Sequence, residues 1–97
     1  MIGYRFLTPA DEELSEAAKF YEAHSTGLGS DYLNEVQRTI DLVCEFPELG
    51  QAVDPGLRRV VLHRFPFSLI YSVETDAIVI VAVSHQRRRP DYWKTRI

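Results

Sequence analysis

A run of basic and aromatic residues late in this sequence carries the residue types best suited to chemistry. Its members, in chain order, are His85, Arg87, Arg88, Arg89, Tyr92 and Trp93. Imidazole transfers protons near neutral pH, guanidinium groups grip phosphate through paired hydrogen bonds, and aromatic rings stack on exposed bases. This run therefore indicates phosphodiester chemistry or the binding of an anionic partner. The alternative interpretation is structural: the histidine caps a strand, the arginines pair with helix carboxylates and the tryptophan seals the core.

A second basic group lies upstream, in a segment with strand character. It consists of Arg58, Arg59, His63 and Arg64. Because side chains alternate across a strand, Arg59 and His63 are predicted to share one face. His85 continues the alternation of residues 79, 81 and 83, so we expect it on that face as well. The concave surface predicted in this way is bordered by Arg59, His63, Ser68, His85, Arg87, Arg88 and Tyr92. Strand arginines also serve a purely protective purpose, since they keep sheet edges from pairing with other chains.

The two halves of the chain differ sharply in charge. Residues 1–50 hold three cationic and ten anionic side chains, a net charge of −7, whereas residues 51–97 hold eight and four, a net charge of +4. This asymmetry indicates a basic surface for an anionic partner, carried on an acidic body. Surface ion pairs between the two halves would explain the same numbers.

The elements that must position these residues follow from periodicity. We predict a strand near residues 4–7, a helix from Pro9 to about His24, a second helix between Gly27 and Pro47, and strands over residues 57–64, 67–73 and 77–83. The short connection between the helices predicts an antiparallel hairpin. The predicted architecture is α+β in the order β-α-α-β-β-β: a helical hairpin on one face of a mostly antiparallel sheet, followed by a short basic tail.

Composition limits the class of protein further. The length of 97 residues predicts a single domain spanning residues 1–97. The one cysteine, Cys44, excludes an internal disulfide and a cysteine-based zinc cage, and we expect neither a metal nor another cofactor. No apolar run approaches the roughly 20 residues that span a bilayer, and no signal peptide is recognisable. We therefore expect a cytoplasmic protein without a membrane partner.

Six short motifs occur in an order and spacing that are characteristic of one superfamily. They are Phe20-Tyr21, Gly27-Leu28-Gly29, Phe46-Pro47-Glu48-Leu49-Gly50, Arg58-Arg59, Phe65-Pro66-Phe67-Ser68-Leu69-Ile70-Tyr71, and the ending from His85 to Trp93. With these motifs, nearly the whole chain resembles the RelE/ParE superfamily of toxins from bacterial type II toxin–antitoxin modules, also called plasmid stabilisation proteins. The resemblance implies the same β-α-α-β-β-β order.

The resemblance also implies a growth-inhibiting toxin that is silenced by a cognate antitoxin in a hetero-oligomer. ParE-like members poison DNA gyrase, and RelE-like members cleave mRNA in the ribosomal A site. Ser68 and Val61 stand where the cleaving branch usually has basic residues, so we expect a ParE-like toxin that acts by binding. A ribosome-dependent, metal-free endoribonuclease and a degenerate member that only binds its antitoxin and operator are the two alternatives.

Each alternative assigns roles to the basic residues. For target binding, the candidates are Arg58, Arg59, Arg64, Arg87, Arg88, Arg89, Tyr92 and Trp93. For an endoribonuclease, in which a ribose 2′-hydroxyl attacks the adjacent phosphate, His85 or His63 would be the base. Arginine, whose guanidinium group stays protonated at physiological pH, cannot easily take that role. Arg59 and Arg87 would then hold the phosphate, and Tyr92 would stack or donate a proton.

Overall fold

The elements of the computed structural model, which describes residues 2–97, follow the predicted order with one addition. They are β1 (Gly3–Phe6), α1 (Thr8–His24), α2 (Leu28–Glu45), β2 (Gln51–Asp54), β3 (Leu57–Val61), β4 (Phe67–Val73), β5 (Ala77–His85) and a short 3-10 helix (Lys94–Arg96). The predicted α+β class, a helical hairpin on a mostly antiparallel sheet, is confirmed. The addition is β2, an edge strand whose four residues are too few to show strand periodicity.

The boundaries of both helices have local causes. Pro9 lies in the first turn of α1, where its fixed φ angle suits the helix and its missing N–H costs nothing. Gly27 adopts a φ of 90°, a left-handed conformation that favours glycine, and α2 begins at the next residue. Phe46 follows the last residue of α2, and Pro47 prevents its continuation. Within residues 2–97, neither helix combines the length and apolarity needed to cross a membrane.

The sheet has the order β1-β5-β4-β3-β2, in which β1 runs parallel to β5 and the other neighbours are antiparallel. The continuous apolar run of β5 lies inside the sheet, between β1 and β4, and its residues 78–83 are buried. β1 pairs with β5 only as far as Phe6, opposite Ile80. Beyond Ile80, one edge of β5 therefore has no neighbouring strand.

Both faces of the sheet carry a hydrophobic cluster. The larger cluster lies under the helices and includes Tyr32, Ile40, Leu69, Tyr71 and Ile80. The smaller one lies on the opposite face and consists of Leu57, Ile70, Val79, Val81, Ala82 and Trp93. Trp93 comes from the C-terminal segment, so this second face, predicted to be open, is partly covered by the chain's own tail.

A β-bulge changes the side-chain alternation within β5. Ile70 of β4 pairs with Ala82, but the next residue, Tyr71, pairs with Ile80, which leaves Val81 as an extra residue. Val79 and Val81 consequently belong to the smaller cluster, whereas Val83 belongs to the larger one. The prediction that His85 continues the face of residues 79 and 81 is therefore wrong, because it assumed an unbroken alternation.

Candidate functional site

His85 lies on the helix side of the sheet, at the end of β5. It pairs directly with Phe67, and the two rings meet edge to face with their centroids 4.9 Å apart. Its Nδ1 accepts a hydrogen bond of 3.0 Å from the backbone N–H of Arg87. A neutral imidazole with Nδ1 as acceptor carries its proton on Nε2. In this arrangement His85 can donate a hydrogen bond from Nε2, while its Nδ1 lone pair is already engaged.

Arg59 projects from the opposite face, where it pairs with Ile70 of the smaller cluster. Beside it lies a cavity of about 200 Å³, which we call the arginine cavity. Its basic residues are Arg59, Arg88 and Arg89, and its other walls include Ser68, His85, Trp93 and one carboxylate, that of Asp91. Three guanidinium groups around one small cavity form an anion-binding arrangement with paired donors. The predicted clustering of Arg59 with the tail arginines is thus present in the structure.

Glu13 of α1 is the most connected side chain near the tail. Its Oε1 accepts hydrogen bonds from the Val83 N–H (3.0 Å) and from Arg96 (2.9 Å), and its Oε2 accepts from the Tyr92 hydroxyl (2.6 Å) and again from Arg96 (3.0 Å). We call these four residues the Glu13 clasp. Burial alone would raise the pKa of Glu13, but the hydrogen bonds from Arg96, Tyr92 and Val83 outweigh it and hold that pKa below 4.5.

The clasp covers the edge of β5 that β1 leaves unpaired. Arg96 donates to the carbonyl of Val81 at 3.0 Å, while Glu13 accepts from the N–H of Val83. Buried backbone polar groups need partners, and here two side chains supply what a neighbouring strand would otherwise supply. The hydrogen bonds to Glu13 also raise the pKa of Arg96, so its guanidinium group stays charged and the ion pair is lost only when Glu13 is protonated at acidic pH.

The C-terminal tail turns across the end of the sheet between His85 and Arg96. The guanidinium group of Arg88 stacks over the Tyr92 ring at 3.9 Å and lies 3.9 Å from Glu13. Burial and the hydrogen bond to Glu13 raise the pKa of Tyr92, which keeps its hydroxyl protonated as a donor. Trp93 is 5% exposed, which matches the interpretation that it seals the core. Arg87 and Arg89 are exposed.

The remaining predicted residues lie apart from the arginine cavity. Arg58 is half-buried and donates to the carbonyl of Gly50 at 2.7 Å, so it fastens the loop after α2. His63 and Arg64 line a groove between α2 and β3, and Arg64 lies 3.8 Å from Asp31 of α2. The prediction that His63 shares one surface with Arg59 is wrong, because β3 ends at Val61 and the chain turns towards α2.

Sequence reasoning missed two carboxylates that organise this region. Neither Glu13 nor Glu35 was among the candidate site residues. Glu35 is buried and accepts hydrogen bonds from the backbone N–H groups of His63 and Arg64. A signal existed: Glu13 falls between the buried Ala10 and Ala17 at helical spacing, and Glu35 falls beside buried Val36. A carboxylate within an apolar stripe indicates a buried polar contact.

The chain is thus an α+β domain in which a helical hairpin packs on a five-stranded sheet and a basic segment folds over the end of that sheet. A solved structure of the chromosomal ParDE toxin–antitoxin system from P. aeruginosa has a similar fold, with a TM-score of 0.62, 21% sequence identity, and coverage of 88% of this chain and 96% of that chain. No curated protein sequence matches the chain significantly. The family model for the ParE toxin of the type II toxin–antitoxin system parDE matches residues 4–90. The chain belongs to the ParE toxin family.

Proposed function

We propose that this toxin inhibits growth by binding DNA gyrase in the cytoplasm, without hydrolytic chemistry, and that a cognate antitoxin neutralises it. The observation that supports the proposal is the hydrogen bonding of the His85 ring. The ring packs edge to face on Phe67, and its Nδ1 lone pair is engaged by the Arg87 N–H, so this lining residue of the arginine cavity has no free Nδ1 lone pair. A general base needs a free lone pair within reach of the proton that it removes.

The binding surface that we propose consists of exposed cations on and beside the arginine cavity. They are Arg59, Arg87, Arg88 and Arg89. Such a cluster steers an acidic partner and contacts it through charge-assisted hydrogen bonds. Arg58, Arg64 and Trp93 are weaker candidates, since Arg58 fastens a loop, Arg64 faces α2 and Trp93 is buried.

The test is a supercoiling assay with purified gyrase. We expect the wild-type toxin to inhibit supercoiling and the double variant Arg88→Ala/Arg89→Ala to need roughly ten- to a hundredfold more protein, since two charge-assisted contacts are lost. Arg38→Ala is the matched control, because Arg38 is an exposed arginine on α2 that lines a different groove. Supercoiling that is unaltered at a large excess of wild-type toxin would contradict the gyrase target.

A ribosome-dependent endoribonuclease is the second candidate, and the arginine cavity is the observation in its favour. Arg59, Arg88 and Arg89 could hold a phosphate there, and His85 also lines the cavity. This activity requires His85 to release the Arg87 N–H before it can accept a proton. Primer extension on translated mRNA separates the two candidates: codon-linked cuts that disappear in His85→Ala would support cleavage and overturn the binding proposal. Growth that is unaffected by induced toxin would favour a degenerate member.

We propose that the antitoxin docks in the groove between α2 and β3. Its floor contains the half-exposed apolar side chains Leu42, Leu49 and Val61, and its rim carries Arg38 and Arg64. An apolar floor with a cationic rim fits an acidic amphipathic segment.

Co-purification with the protein encoded by the neighbouring gene tests this docking site. We expect Val61→Asp to weaken the complex about a hundredfold, because the substitution places a carboxylate on the apolar floor against an acidic partner. Leu33→Asp is the control, since Leu33 is similarly exposed but lies outside this groove. Equal binding by the two variants would exclude the groove.

A further inference from the structure

We infer that Glu13 is the positioning residue of the target-binding segment, residues 86–93. Its carboxylate fixes the arrangement in which Arg88 and Arg89 line the arginine cavity. The inference rests on the proposed function in which this segment binds gyrase, and it assigns to α1 a role in a site that lies across the sheet.

Glu13 is the polar anchor of the C-terminal segment. In the part of the chain that the structure describes, residues 2–97, each ion pair that joins the segment beyond His85 to the rest of the chain has Glu13 as its carboxylate. Arg96 binds both of its oxygens, in a bidentate geometry that restricts orientation as well as distance. The apolar anchor, Trp93, holds the segment against the sheet but does not fix the direction of the flanking side chains.

A continuous chain of contacts links Glu13 to the cavity. The carboxylate accepts a 2.6 Å hydrogen bond from Tyr92, whose ring carries the guanidinium group of Arg88 at 3.9 Å. Arg88 in turn lines the arginine cavity. Displacing the Tyr92 ring would therefore remove the platform on which Arg88 rests, and the cavity would lose one of its three guanidinium groups.

The Glu13 carboxylate is already occupied by contacts within the chain. Its side chain is 15% exposed, and its four hydrogen bonds use both oxygens. A glutamine at this position keeps the shape but replaces one oxygen by an NH2 group, which would face a donor, either Tyr92 and Arg96 or Val83 and Arg96. The substitution thus releases one side of the clasp without emptying the space that the side chain fills.

The test combines a spectroscopic measurement with target inhibition in the full-length protein. Trp93 is the only tryptophan of the chain, so its emission reports the segment directly. We expect Glu13→Gln to increase acrylamide quenching of Trp93 and to weaken gyrase inhibition about tenfold, the effect of one lost charge-assisted hydrogen bond. Glu12→Gln, on the exposed neighbouring position, should match the wild type in both measurements.

The outcomes separate this inference from the proposed function. Unchanged quenching in Glu13→Gln overturns the inference, and so does increased quenching with undiminished inhibition. If Arg88→Ala/Arg89→Ala inhibits gyrase as well as the wild type, the proposed binding surface fails, while the quenching measurement still decides whether Glu13 holds the segment. Should Glu13→Gln not fold, Tyr92→Phe removes a single hydrogen bond of the clasp, and the same two changes are expected of it; their absence overturns the inference.

Discussion

Two tyrosines of the core have the same burial but opposite hydrogen bonding, and this contrast gives a sharp stability prediction. Tyr71 and Tyr32 are both 0% exposed and belong to the cluster beneath the helices. The Tyr71 hydroxyl accepts from the Gly50 N–H at 2.8 Å and donates to the Pro47 carbonyl at 2.8 Å. The Tyr32 hydroxyl has no hydrogen-bond partner among residues 2–97. Removing each hydroxyl should therefore have effects of different sign.

The structure sets the magnitudes. Tyr71→Phe removes two hydrogen bonds and leaves the buried N–H of Gly50 without a partner, and an orphaned buried polar group costs about 1–3 kcal/mol. We expect this substitution to lower the free energy of unfolding by about 2–3 kcal/mol, a large share of the 5–15 kcal/mol typical of small domains. Tyr32→Phe removes a hydroxyl that is desolvated without compensation, so it should be neutral or stabilise the protein by up to about 1 kcal/mol.

Urea unfolding followed by circular dichroism measures both values in one buffer. Each phenylalanine occupies nearly the volume of the tyrosine that it replaces, so the slopes of the transitions should be equal and only the midpoints should move. The two variants should differ by at least about 2 kcal/mol, with Tyr71→Phe the less stable. Two variants that unfold at the same midpoint, or a less stable Tyr32→Phe, would refute the argument from hydroxyl partners.

Acid titration should distinguish the wild type from Glu13→Gln. Because the fold holds the pKa of Glu13 below its ordinary value of 4.5, the carboxylate stabilises the protein above that pH, and this stabilisation is lost as the pH falls through the lowered pKa. Unfolding free energies between about pH 3 and 6 should converge for the two proteins as the pH falls; parallel curves would contradict this. Gly50→Ala should cost about 1–3 kcal/mol in thermal melts, since a Cβ there would lie 2.7 Å from the Tyr71 hydroxyl oxygen and 2.9 Å from the Arg59 carbonyl oxygen. The Cys44 thiol is buried, and burial raises its pKa, so a thiol reagent should modify it much faster after unfolding than before; equal rates would be inconsistent with its position.

The fold could be predicted because its signals are local. Proline at the start of α1, Gly27 between the helices and the apolar run of β5 each act within a few residues, and each has the predicted effect. β2 escaped prediction because four residues at an edge, two of them exposed, need no apolar pattern. The pairing of β2 with β3 is irregular, which weakens such a pattern further.

The site was harder to predict because the face on which His85 lies depends on one extra residue in β5, Val81. Counting alternate positions along β5 places His85 with Val81, but the bulge at Val81 sends His85 to the other face. A bulge arises from the pairing of two strands, so the sequence of one strand does not reveal it. The convergence of Arg59 with Arg88 was predicted nonetheless, whereas Arg89, and not the predicted Arg87, completes the lining of the cavity.

The short first strand has a consequence for self-association. The edge strand of a sheet has unpaired N–H and C=O groups, which can pair with an extended segment of another chain. Fibre growth begins with such strand addition. Past Ile80, an incoming strand would have to expel Arg96 and Glu13 from the backbone groups that they already occupy. The opposite margin, β2, is four residues long and irregularly paired, which makes it a poor template. Although β5 is strongly apolar, the sheet thus has few unpaired backbone groups to which a second copy of the chain could add a strand.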